Sequence, residues 1–229
     1  MEIFLSLATL TFLEIVLGID NIIFVSIITN RLPQHQQKKG RFLGLTMALV
    51  LRIILLSLVA YLAHLAKPLF SVYSFDVSIR DIIMFAGGLF LIAKSTTEIH
   101  GKITGEEENQ SNGKKLLTFS QVIFQIALID LVFSFDSILT AVGLANEIWI
   151  MVTAVIISMI IMILFSEYVA KFIEKYPTVK MLALSFLLMI GTLLVLEAFH
   201  IHVPRGYIYF SLTFSLFVEY LNLKIRSRT

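Results

Sequence analysis

The chain has 229 residues, of which 58% are hydrophobic and only 15% charged, and its mean hydropathy is +0.89; a soluble domain carries about 25% charged residues. That excludes an ordinary soluble protein, and a formal net charge of +2 is too small to suggest nucleic-acid binding, which would show as a concentrated basic face. With no cysteine, disulfides, thiolate nucleophiles, iron–sulfur clusters and Cys-ligated zinc are excluded as well.

The N-terminus, MEIFLSLATLTFLEIVLGIDN, lacks the basic n-region and small-residue cleavage site of a signal peptide, so it reads as a retained first span. A spanning helix needs about 20 apolar residues. Apolar runs of that length predict helices over residues 3–29, 41–66, 79–99, 118–144, 147–169, 179–199 and 205–222. The expected breaks are NRLPQHQQKK at 30–39, the hydrophilic loop HGKITGEEENQSNGKK at 100–115, and the proline turns KYPTVK at 175–180 and HVPR at 202–205.

Basic residues fall mainly on alternate sides of this scheme. One side collects Arg31, Lys38, Lys39 and Arg41, the lysines around the long loop, Lys171, Lys175 and Lys180, and the tail; the other has Lys67, Arg80 and Arg205. Since positive loops stay in the cytoplasm, the N-terminus is expected outside and the C-terminus inside.

An internal repeat carries most weight. EIVLGIDNI at 14–22 aligns without a gap with DLVFSFDSI at 130–138: acid, aliphatic, Val, three residues, Asp, Asn or Ser, Ile. Weaker echoes pair Tyr61 with Tyr168 and Gly88–Lys94 with Gly191–Glu197. The repeat is three helices long, so the second copy enters the membrane upside down, as in many secondary transporters. The expected fold is all-α and polytopic: a 3+3 inverted repeat (about 3–99 and about 118–199, joined by a cytoplasmic loop at about 100–117) plus one further helix, in a single membrane domain.

Glu14, Asp20, Asp130 and Asp136 thereby lie near the middle of the bilayer, where ionisable groups are costly and mark function by default. Two acids six residues apart point about 120° apart and sit about 9 Å apart along a straight helix. A local break at Gly18 and at Ser134 would aim them together and free carbonyls to line a cavity. Four converging carboxylates need protons or a cation between them. Carboxylate oxygens supplemented by Asn21 and Ser137 suit hard ions such as Mg, Ca and Mn, and proton–metal competition would permit exchange. The alternative for any one acid is a buried ion pair, with Arg52 in helix 2 as the obvious partner. Asp81, Lys94, Glu98, Glu147, Glu167 and Glu219 read as solvated helix-end residues; Gly87, Gly88 and Gly191 read as points of close helix contact; the Glu106–Glu108 run reads as a solvated loop.

EIVLGIDNIIF at 14–24 and DLVFSFDSILTAVG at 130–143 closely resemble the two signature segments of the TerC family of integral membrane proteins, and 80–100 and 201–222 also look like that family. The resemblance implies the short, membrane-only form: a seven-helix protein of the bacterial inner membrane, related to LysE-type exporters, with members linked to manganese export and others named for tellurite resistance. By matching positions it carries the family's intramembrane acids onto Glu14, Asp20, Asp130 and Asp136, with Asn21 and Ser137 alongside. Tellurite is an anion that carboxylates would repel, so the expected cargo is a divalent cation, Mn2+ foremost, exported through these six residues. The expected partners are lipid, that cation and protons; no prosthetic group, enzymatic activity or nucleic-acid partner is expected. The other reading is a non-transporting scaffold or assembly factor whose acids form a structural network with Arg52. An intramembrane aspartyl protease is disfavoured because Gly-x-Gly-Asp is absent.

Overall fold

The computed structural model describes residues 2–58, 68–72, 75–105, 118–142 and 148–226, and at Glu2, Asp20, Pro68, residues 70–72, Phe75, residues 135–142, Arg205 and Arg226 it describes the backbone alone. Tyr61, the Glu106–Glu108 run and Glu147 lie outside the described residues. Seven helices are present among them: α1 (Glu2–Thr29), α2 (Gln34–Ser57), α3 (Ile79–Ile103), α4 (Phe119–Val142), α5 (Ile148–Lys175), α6 (Pro177–Ala198) and α7 (Arg205–Arg226). Each corresponds to one expected span. Five (α1, α2, α3, α5 and α6) are long and apolar enough to cross a membrane. Helix α4 is apolar as well over the part whose side chains are described, Phe119–Ser134, and α7 carries more charge.

Several boundaries differ from expectation. Helix α2 begins at Gln34 rather than 41, because Pro33 occupies the N-cap with extended backbone (ψ 141°) and the Gln and Lys residues that follow are good helix formers. Helices α3 and α5 run on to Ile103 and Lys175. The turn between α5 and α6 narrows to Tyr176, with Pro177 at the first position of α6, where its missing N–H has no intrahelical partner to lose. A feature that was not expected is the antiparallel hairpin β1 (Pro68–Val72) and β2 (Phe75–Ser78), irregular between Pro68 and Phe70.

The chain forms two compact units. The first, residues 1–80 and 115–171, contains α1, α2, the hairpin, α4 and most of α5. Its most extensive packing is α2 on α4, followed by α1 on α4 and α2. Ile28, Leu45, Leu56, Ile126, Ile129, Met159 and Met162 are fully buried there. The buried hydroxyls of Ser26 and Thr29 donate to Ile22 O and Val25 O one turn back (2.7 Å each), which satisfies them within their own helix.

The second unit, residues 81–114 and 172–229, holds α3, the end of α5, α6 and α7. Here α3 and α6 meet at Gly88 and Gly191: a Cβ on Gly88 would stand 2.7 Å from Gly191 O, and one on Gly191 would stand 2.9 Å from Gly88 O. Only hydrogen fits between the two backbones at this crossing. Leu91, Leu184 and Leu187 fill the core around it. Helix α6 ends in a Schellman motif, with His200 N–H donating to Glu197 O and Ile201 N–H to Leu196 O (3.0 Å each). His200 takes the left-handed position (φ 60°) usually given to glycine, and its ring lies 3.3 Å from the buried Asp81 carboxylate at the start of α3. The outer face of α7 leaves Tyr207, Phe210, Phe214 and Tyr220 exposed, as a lipid-facing helix does.

Candidate ion-binding site

The expected break in the acid-bearing helices is not present. Helix α1 is continuous through Gly18 and α4 through Ser134. Each residue has a different use. The space that a Cβ on Gly18 would occupy is filled by the side chain of Met162 on α5, so the glycine admits a neighbouring helix. Ser134 is fully buried and its hydroxyl donates to Asp130 Oδ2 at 3.1 Å.

Three helices of the first unit bring polar groups together at one point. Glu14 and Asn21 come from α1, Arg52 from α2, and Asp130 and Ser134 from α4; all five are buried. Arg52 Nη1 donates to Glu14 Oε2 at 2.9 Å. Arg52 Nη2 and Nε both donate to Asp130 Oδ1, at 3.0 and 3.3 Å, and Asn21 Nδ2 adds a third bond to that oxygen at 3.1 Å. One guanidinium therefore faces two carboxylates. Pairing with opposite charge and hydrogen bonds is the condition under which buried ions are tolerated, and arginine's planar fork suits two acceptors at once.

The cluster has one group left over. Asn21 Oδ1 is buried without a hydrogen-bond partner among the described residues, and Asn21 and Asp130 line a cavity of about 10 Å³ with Phe24, Leu45, Ala48, Ile129 and Met159. That volume holds about one water-sized occupant. A buried carbonyl acceptor without a partner costs about 1–3 kcal/mol, and here it belongs to a side chain whose Nδ2 is bonded to a carboxylate and which lines the cavity.

Of the six residues predicted as ligands, the structure brings together Glu14, Asn21 and Asp130. The side chains of Asp20, Asp136 and Ser137 lie outside the described residues. Among the described residues no three His, Asp or Glu side chains stand close enough to hold a metal ion. Arg52 is the partner its position in an apolar run suggested.

Two helix-end acids correct the sequence reading. Asp81 and Glu98 are buried rather than solvated. Asp81 meets His200 from 119 residues away, which no local pattern reveals; Glu98 lies 3.6 Å from Lys94 at i,i+4 spacing on the same helix, a pairing the sequence could have shown. Glu167 is half-buried between Lys38 (3.3 Å) and Lys171 (2.8 Å).

The two acidic segments, the buried Arg52 knot and the long apolar helices together define a polytopic membrane protein with an ionic core. The Integral membrane protein TerC family matches residues 1–229. The chain is 50% identical over 219 residues to UPF0053 inner membrane protein YgdQ of Escherichia coli (strain K12), covering 96% of this chain and 92% of that protein. It is 45% identical over 225 residues to a UPF0053 protein of Haemophilus influenzae, covering 98% and 95%. It also matches UPF0053 inner membrane protein YoaE of Escherichia coli (strain K12), 46% identical over 221 residues, which are 96% of this chain and 43% of that protein. No solved structure matches the chain. The chain belongs to the TerC family of integral membrane proteins. It is a multi-pass protein of the inner membrane.

Proposed function

We propose that the chain exports a hard divalent cation, Mn2+ foremost, through the midmembrane acidic cluster, in exchange for protons. The observation that carries this reading is Asn21: its Oδ1 is buried with no hydrogen-bond partner among the described residues, its Nδ2 bonds Asp130, and the two residues line a small cavity. An oxygen donor next to a carboxylate is half of a hard-cation site. The charges agree, since Glu14 and Asp130 share the single cation Arg52, which leaves a negative excess for a proton or metal ion to neutralise.

Arg52 is the resident countercharge in this reading. It holds Glu14 and Asp130 while no metal ion is bound, and an arriving ion takes its place with Asp20, Asp136, Asn21 and Ser137 as ligands. Glu14 and Asp130 then bind the ion or carry the protons that move the other way.

The proposed architecture is the 3+3 inverted repeat plus α7, with the N-terminus outside and the C-terminus in the cytoplasm. A two-fold axis in the membrane plane makes equivalent residues face each other where repeated helices cross, and Gly88 and Gly191, aligned in the repeat, are in contact. Contacts within each unit also respect the alternation of sides: the start of α3 with the end of α6 (Asp81 and His200), and the start of α2 with the end of α5 (Lys38 and Glu167).

The test is Mn2+ flux in vesicles containing the purified protein. Asp20→Asn and Asp136→Asn are expected to abolish it while the protein remains folded in the membrane; equal flux from wild type and both variants overturns the proposal. The scaffold reading draws on the two bonded acids at Arg52. It predicts instead that neutralising the acids only lowers stability and that no metal ion raises the melting temperature.

A further inference from the structure

The start of α2 has an arrangement that helix electrostatics disfavours. A helix N-terminus carries about half a positive charge, yet the first turns of α2 bear His35, Lys38 and Lys39 with no acidic residue, and Pro33 at the N-cap supplies no side-chain cap. Glu167 is the acid that approaches, and it is shared: Lys38 lies 3.3 Å away and Lys171 2.8 Å away. Lys39 is exposed. Positive charge is in excess here.

Beside this cluster lies an open cavity of about 800 Å³, at the upper end of the range for small-molecule sites. Its rim is His35, Lys38 and Lys39, and its wall is Phe42, Leu43 and Phe119. The two sets are ordered along the helix. Polar residues run to Arg41, and the apolar part of α2 starts at Phe42, so the rim stands at headgroup level and the wall one turn deeper. Phe42 and Leu43 are 55% and 44% exposed at the depth where acyl chains begin. Phe119, the first residue of α4, lies beside Gly40 of α2, where a Cβ would stand 3.8 Å from its ring, in ordinary van der Waals contact.

A soluble anion would use the rim and leave the wall idle, whereas a phospholipid with a negative headgroup uses both, and basic pockets between membrane helices bind such headgroups. We propose that this cavity is a binding site for an anionic phospholipid, its phosphate on His35, Lys38 and Lys39, and an acyl chain along Phe42, Leu43 and Phe119. The site is independent of the acidic cluster and of the ion it serves.

The test is native mass spectrometry of the full chain in neutral detergent, titrated with dioleoyl phosphatidylglycerol, dioleoyl phosphatidylcholine or inorganic phosphate. Phosphatidylglycerol should be retained over phosphatidylcholine. Each of Lys38→Gln and Lys39→Gln should weaken retention about fivefold, and the pair about thirtyfold. Phe42→Ser should weaken it too, and Lys224→Gln, the same charge lost from α7, should not. All four positions are exposed, and a melting curve of each variant in detergent alone checks that it is folded. Equal retention of the two lipids, equal loss with Lys224→Gln, no loss with Phe42→Ser, or displacement of the lipid by phosphate each overturns the proposal.

Discussion

Arg52 grips Asp130 through two donors on a single oxygen, Nη2 at 3.0 Å and Nε at 3.3 Å from Oδ1. Removing the guanidinium leaves that carboxylate and Glu14 buried without their countercharge. Arg52→Met is therefore expected to destabilise the protein by about 3–5 kcal/mol, the cost of breaking a buried ion pair from one side. Combining it with Glu14→Gln and Asp130→Asn should restore most of the loss. Thermal unfolding of the single and triple variants in detergent checks both.

Gly88 and Gly191 leave no room for side chains between α3 and α6. Gly88→Ala and Gly191→Ala should each cost about 1–3 kcal/mol by overpacking. Because both act at the same contact, the double variant should cost less than the sum of the two, as read from chemical denaturation.

Orientation is open to direct labelling, because the chain has no cysteine and one introduced thiol is the only one that can react. Thr104→Cys, after the end of α3, should be blocked only by a reagent that crosses the membrane. His202→Cys, between α6 and α7, should be blocked by an impermeant maleimide added to intact cells. Both positions are exposed; the reverse pattern would invert the topology.

Ion binding should be visible as stabilisation. A ligand of the native state at about 100 times its Kd adds about 2.7 kcal/mol, so Mn2+ should raise the melting temperature of wild type and not of the Asp20→Asn, Asp136→Asn double variant. Asn21→Leu, which removes the free oxygen and fills the cavity beside Asp130, should also lose the Mn2+ effect. Its melting temperature without metal should change much less than that of Arg52→Met.

The existence of all seven helices was legible, because apolar runs of spanning length have few other readings. Glu14, Asp130 and Arg52 stood out because charge inside such runs is costly, and they do meet. Local features were harder to read. QHQQKK looks like a loop by polarity but is helical by propensity, and Pro33 rather than the charge pattern sets where α2 begins. Gly18 and Ser134 looked like weak points in their helices; one makes room for Met162, which sequence spacing does not bring near, and the other holds Asp130 one turn back on its own helix, a pairing that i,i+4 spacing could have shown. Asp81 meets His200 from 119 residues away, which spacing does not reveal. The hairpin at 68–78 carried a signal that hydropathy alone passes over: the Phe, Tyr and Val of PLFSVYSFDVS favour extended backbone.

The knot at Arg52 is lopsided. Asp130 holds the guanidinium by two bonds and is itself held by Asn21 and Ser134, whereas a single bond joins the guanidinium to Glu14. Charge-assisted bonds of this kind are the strong ones, so their number sets an order of release. If the cluster loosens, the expected first step is loss of the bond to Glu14 with the bonds to Asp130 kept, which would part α1 from α2 at this point while leaving α2 tied to α4.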